Sequence, residues 1–231
     1  MNNIPGYISL IFTVTTALSL YLFYRATKPS GTTVMVILTW LALQGILAFF
    51  GFYLVTETTP PRFILAIAPA LITILLLFLL PPGRQWMDSW KLQRLTWLHV
   101  VRVPVELVLF WLYQHGQVPL LMTFEGSNPD ILSGLTAPLI AWLAFRSGSP
   151  RRALLIAWNL LCLGLLLNIV IRAILSAPTP FQQWGFEQPN IGVLQLPFVW
   201  LPAFIVPVVL LSHLAALRQL LFAPIKSHDQ V

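Results

Sequence analysis

The sequence predicts an all-α integral membrane protein: a bundle of seven transmembrane helices, N-terminus outside and C-terminus cytoplasmic. Three observations predict it. Of the 231 residues, 58% are hydrophobic and 9% charged, with a mean hydropathy of +0.82, whereas a soluble domain carries about 25% charged residues. Seven apolar runs approach the about 20 residues that a helix needs to cross a bilayer. Lysine and arginine fall in alternate connections between those runs, the pattern of cytoplasmic loops.

The first run, 4–24, follows Asn2 and Asn3 and precedes Arg25 and Lys28. With its charges after the apolar stretch rather than before it, it reads as a retained helix and not a cleavable signal. Runs 34–56 and 63–80 come next, with Arg62 between them. Arg84, Lys91 and Arg94 then precede the run 95–114. The run 129–145 is short, and Asn128-Pro129-Asp130 reads as its start. Asn suits the cap, Pro the first position, and an acid the positive end of the helix dipole. On that reading Asp130 is discounted as a reacting group. Ser133, Ala137 and Ala141 recur every four residues, a small-residue seam on which another helix can pack closely. Arg146, Arg151 and Arg152 precede 153–176, and Arg218 and Lys226 follow 198–217. The cytoplasmic set therefore holds ten of the 13 basic residues. Residues 1–222 read as one transmembrane domain and 223–231 as a short polar cytoplasmic tail, in a plasma (inner) membrane.

Two outer connections are unusual. Residues 115–128 contain no Lys or Arg but do contain Glu125. Residues 177–197 mix Phe181, Trp184 and Phe186 with Glu187 and Asn190. Such a loop either anchors aromatics at the interface or folds as a lid over an outer cavity.

The run 95–114 carries His99, Arg102 and Glu106, and ionisable groups inside a bilayer default to functional suspects. Arg102 and Glu106, four residues apart on one helix face, are expected to pair. Pro104 between them removes a backbone donor. Pro69, Pro138, Pro202 and Pro207 interrupt further runs, which suits a bundle with a cavity. The fourth, sixth and seventh runs are expected to line the polar interior, since they hold Arg102, Glu106, Asn159, Asn168, Arg172 and His213. Asn168 and Arg172 share a face near the outer end. There Arg172 either snorkels to headgroups or pairs with Glu125, Asp130 or Glu187.

The leading expectation is a protein that binds or transports a small ligand or lipid, with Arg102 as the anion contact and Glu106 as a proton-coupled partner. A membrane-embedded enzyme would instead build an outer site from Glu125 and Glu187 with His115 as base. An accessory subunit is the third reading. No cofactor is expected, with one minor exception. His99 and His213 fall at similar depths and could ligate haem or a metal ion. The lone Cys162 offers no disulfide or thiolate metal site. Basic residues spread over helix ends argue against nucleic-acid binding. No lysine in the last run serves a retinal Schiff base, and no H-E-x-x-H or Gly-x-Ser-x-Gly motif occurs. The bilayer itself is the one expected partner, with the oligomeric state open.

Overall fold

The computed structural model describes residues 4–147 and 149–222. Asn2, Asn3, Lys226 and the tail 223–231 lie outside them. Among the described residues every regular element is helical: α1 Gly6–Thr27, α2 Gly31–Phe49, α3 Ile64–Leu79, α4 Pro81–Asp88, α5 Leu92–Leu98, α6 Arg102–Gln114, α7 Ile131–Phe145, α8 Arg152–Leu175 and α9 Val206–Phe222. A 3-10 turn, His99–Val101, joins α5 to α6, and a π-helical turn, Leu201–Ile205, leads into α9. Five helical rods are long and apolar enough to cross a membrane: α1, α2, Leu92–Gln114, α8 and Leu201–Phe222. A sixth is added if α3 and α4 count as one, bent by 90°. The helix α7 is apolar but shorter.

Local chemistry explains most of these boundaries. In α1 the hydroxyls of Thr13, Thr15, Thr16, Ser19 and Thr27 each donate to the carbonyl four residues back, so these five are paired within the helix itself. The helix α2 starts on Ser30, whose Oγ accepts the Thr33 N–H at 3.2 Å. It stops at Phe49 rather than running to residue 56 as the hydropathy suggested. Gly51 turns left-handed, with φ of 71°, and the 3-10 turn Phe52–Leu54 buries Tyr53 with its hydroxyl donating to Gln44. The elbow between α3 and α4 forms at Pro81-Pro82, which carry no N–H to continue α3. Gly83 makes it possible, because a Cβ there would sit 2.5 Å from the Leu77 carbonyl oxygen.

Pro207 cannot donate to the Ala203 carbonyl, its usual helical acceptor. The Trp40 indole N–H of α2 fills that place at 3.0 Å. Trp200 returns the bond, donating to the Leu41 carbonyl at 2.9 Å. These two bonds tie α2 to the π-helical turn.

One end of the bundle gathers the basic connections. Arg218 grips Asp88 through two bonds of 3.0 and 2.8 Å, and Gln219 donates to the Met87 carbonyl at 2.6 Å. Arg94 donates to the Arg25 carbonyl at 2.7 Å, the Lys91 N–H to Ala26 at 3.0 Å, and Arg152 to the Leu220 carbonyl. The ends of α1, α4, α5, α8 and α9 are therefore tied together. At the opposite end the two long connections fold onto each other. Ile191 and Gly192 donate their N–H groups to the Gln117 carbonyl at 3.1 and 2.8 Å, and Gln188 donates to Tyr113 and Val118 at 2.8 and 2.6 Å. Val118, Asn190, Val193 and Leu194 are buried, while Phe181, Trp184 and Phe186 are exposed. The loop thus combines a folded cover with outward aromatics.

Candidate functional site

The short helix α7 begins inside the bundle. Phe124 packs on Phe110 with ring centroids 5.0 Å apart, Asn128 bonds Glu106, and Asp130 bonds Arg102. As the numbers rise on one side they fall on the other, so residues 122–130 run back along α6, antiparallel to it. Arg102 lies ten residues beyond Leu92, about 15 Å along its rod. The 15 residues of α7 extend about 22 Å, less than the thickness of a hydrocarbon core, about 30 Å. The non-helical backbone that leads into α7 is packed along α6, and protein packing is the setting in which such backbone is tolerated inside a membrane. Its polar groups are paired locally: Gly126 and Asn128 N–H donate to the Thr123 carbonyl at 3.0 and 3.2 Å, and the Asn128 side chain donates to the Met122 carbonyl at 3.0 Å. Gly134 lets α7 close on α6, since a Cβ there would lie 2.8 Å from the Val103 backbone nitrogen. The predicted seam is present too, with Ser133, Ala137 and Ala141 all buried.

This arrangement corrects two expectations. Arg102 forms its ion pair with Asp130 rather than Glu106, and Asn128-Pro129-Asp130 is more than a helix start. The Asp130 N–H does turn back to Asn128 Oδ1 at 3.3 Å. The Asn128 amide nitrogen, however, goes to Glu106 Oε2 at 2.7 Å, and no side chain caps α7. Arg102 Nε donates to Asp130 Oδ2 at 2.7 Å, and Nη2 pairs with Oδ1. Both Nη atoms reach the Cys162 carbonyl at 3.3 Å, and Nη1 reaches His213 Nε2 at 3.2 Å. A guanidinium has five N–H donors, and these five contacts engage them all. Arg102, Glu106, Asn128 and Asp130 are each no more than 3% exposed.

The network fixes the imidazole of His213. Guanidinium can only donate, so Nε2 accepts and the ring proton sits on Nδ1. That proton goes to Asn159 Oδ1 at 2.8 Å, and the Asn159 amide nitrogen donates to the Leu155 carbonyl at 2.8 Å. His99 stacks on His213 with centroids 3.9 Å apart and planes 20° from parallel. The 3-10 turn after His99 brings it over Arg102, because residues three apart eclipse in that geometry. The edge of Trp158 closes the stack at 5.3 Å from His99. Two histidines do therefore meet at matching depth, but they do not fit axial haem ligation. The rings face each other with no gap for a porphyrin, and both nitrogens of His213 are engaged. Among the described residues no group of three or more His, Cys, Asp or Glu could hold a metal ion.

The other predicted residues lie apart from this cluster. Arg172 donates to Asn168 Oδ1 at 3.0 Å and stacks over Trp184, and Asn168 in turn donates to the Ser127 carbonyl at 3.0 Å. Arg172 has no carboxylate partner among the described residues. Glu125 and Glu187 are exposed and share no hydrogen bond with His115, whose Nδ1 bonds the Trp111 carbonyl at 2.8 Å. Of the residues expected in the interior, Arg102, Glu106, Asn159 and His213 converge. Asn168 and Arg172 tie α8 to the connections that carry Ser127 and Trp184 instead. Sequence reasoning missed Asn128 and Asp130. The signal was the shortness of the run they precede, which leaves an acid next to an apolar stretch where a buried base can match it.

A family model described as a domain of unknown function (DUF8737) matches residues 59–221. No curated protein and no solved structure matches the chain.

Proposed function

The chain belongs to the DUF8737 family, and we propose that it is a multi-pass membrane protein that binds or transports a small ligand at the cluster where α7 begins. The observation that carries this reading is the buried Arg102–Asp130 pair at a helix start inside the bundle. Discontinuous helices whose N-termini open at mid-membrane are where transporters hold anionic groups. In this reading Asp130 occupies Arg102 in the resting state. The ligand's anionic group displaces it, and Glu106, held by Asn128, takes up the proton balance.

The chain crosses the membrane seven times with its N-terminus outside, in a plasma membrane. The meeting of Arg25, Lys91, Arg94, Arg152 and Arg218 at one end of the bundle supports that orientation, since Lys and Arg mark the cytoplasmic side. Residues 116–145 then form the fifth crossing, half irregular and half helical.

Native mass spectrometry of the full chain in mild detergent tests the ligand site. A retained small-molecule mass that disappears in both Arg102→Gln and Glu106→Gln, with each variant folded, supports it. The same mass retained by both removes it. A second reading is favoured by the saturation of Arg102: the cluster is a structural pin and the protein an accessory subunit. Its mark is a Arg102→Met/Asp130→Leu double variant that folds and still co-purifies with a partner. An outward carboxylate enzyme built on Glu125, Glu187 and His115 has less support, because nothing gathers those side chains.

A further inference from the structure

A second site lies away from the polar cluster and does not depend on the reading given above. A groove of about 420 Å³ opens between α2, α3 and α9, with Trp86 of α4 also lining it. Its walls are mostly apolar, including Val36, Ile37, Ile74, Leu77, Val208 and Leu211. On α2 the lining runs from Ser30 to Trp40, about 15 Å at helical rise, which is half of a hydrocarbon core about 30 Å thick. That depth is one leaflet. The Trp40–Ala203 bond closes the groove at its deep end.

The open end has the opposite chemistry. Ser30, Thr32 and Thr33 lie at the start of α2, where the Thr33 N–H is capped by Ser30 Oγ and the N–H groups of Gly31 and Thr32 have no helical acceptor. Lys28 is two residues from Ser30, and Arg84 is two residues from Trp86; neither has a carboxylate partner among the described residues. This is also the end at which the basic connections are tied together. An apolar slot one leaflet deep, with hydroxyls and the start of a helix at its mouth and two cations within two residues of its lining, complements an amphiphile with a negative head.

We infer that the groove between α2, α3 and α9 binds one anionic phospholipid of the leaflet at the basic end. Its acyl chain lies along Val36 and Ile74, and its phosphate sits at the mouth between Lys28, Arg84 and the start of α2. A basic residue near an anionic membrane surface contributes about 1 kcal/mol, so losing either cation weakens the phosphatidylglycerol preference about fivefold.

The experiment is native mass spectrometry of the full chain, offered phosphatidylglycerol and phosphatidylcholine of identical acyl chains. The expected result is one phosphatidylglycerol retained in preference to phosphatidylcholine. Arg84→Gln reduces that preference while phosphatidylcholine binding persists, and Ala70→Trp, which fills the slot, removes the bound lipid. Val36→Trp repeats the filling from α2 in case Ala70→Trp does not fold. A filled and folded variant that keeps the same lipid shows only annular lipid and overturns the site. So does equal retention of the two lipids, or a second copy of the chain in place of lipid. Loss of the small-ligand mass in Arg102→Gln leaves this result unaffected, so the two sites fail separately.

Discussion

At Arg102 five donors meet their acceptors in an almost fully buried space, so removing one partner strands a charge. Arg102→Gln or Asp130→Asn should each destabilise the protein by about 3–5 kcal/mol. Replacing both by apolar residues should cost much less than the sum, because no charge is then left behind. Unfolding in mixed micelles would measure both. Asn159→Leu should cost about 1–3 kcal/mol, since it leaves the His213 Nδ1–H without an acceptor. Nitrogen NMR of histidine-labelled protein checks the cause, because the wild type should show His213 protonated at Nδ1; a proton at Nε2 would remove this account. The sequence showed that Arg102 and Glu106 belong together on one face, and they do. It did not show that the carboxylate for Arg102 comes from Asp130, 28 positions away. Helical spacing ranks near neighbours only, and the near neighbour was taken instead by Asn128.

Among the elements, hydropathy located the rods well because lipid demands long apolar helices that satisfy their own backbone. It could not see where a rod is broken. The apolar stretch through residue 56 continues past the end of α2, since Phe52, Tyr53 and Leu54 are apolar even where the chain has turned. The helix α7 posed the reverse problem, a start signal so complete that its depth went unasked. Two substitutions test the joints. Trp40→Phe should cost about 1–3 kcal/mol, because Pro207 leaves the Ala203 carbonyl no other donor. The loss should be absent if Pro207→Ala is introduced beside it, which restores the helical donor. Gly134→Val should lower thermal stability further than Gly164→Val, because a Cβ at Gly134 meets the Val103 backbone and one at Gly164 meets nothing within 4 Å.

For the whole molecule, orientation rests on charges that the fold collects at one end. Single cysteines placed at exposed Ser89 and Glu125 in a Cys162→Ser background should label from opposite sides of intact cells, Glu125 from outside. Labelling of both by an impermeant reagent would reverse or break the proposed topology. The half-helical crossing proposed for residues 116–145 also bears on how the chain is made. A segment of 15 residues led by Asp130 is a poor candidate to leave the translocation channel sideways by itself, with an aspartate costing about 2.5–3.5 kcal/mol at a helix centre. Arg102 emerges from the ribosome 28 residues before Asp130. On that topology the pair would serve as an assembly register: the earlier helix carries the counter-charge that makes the later one admissible, and the order of synthesis becomes part of what the sequence encodes.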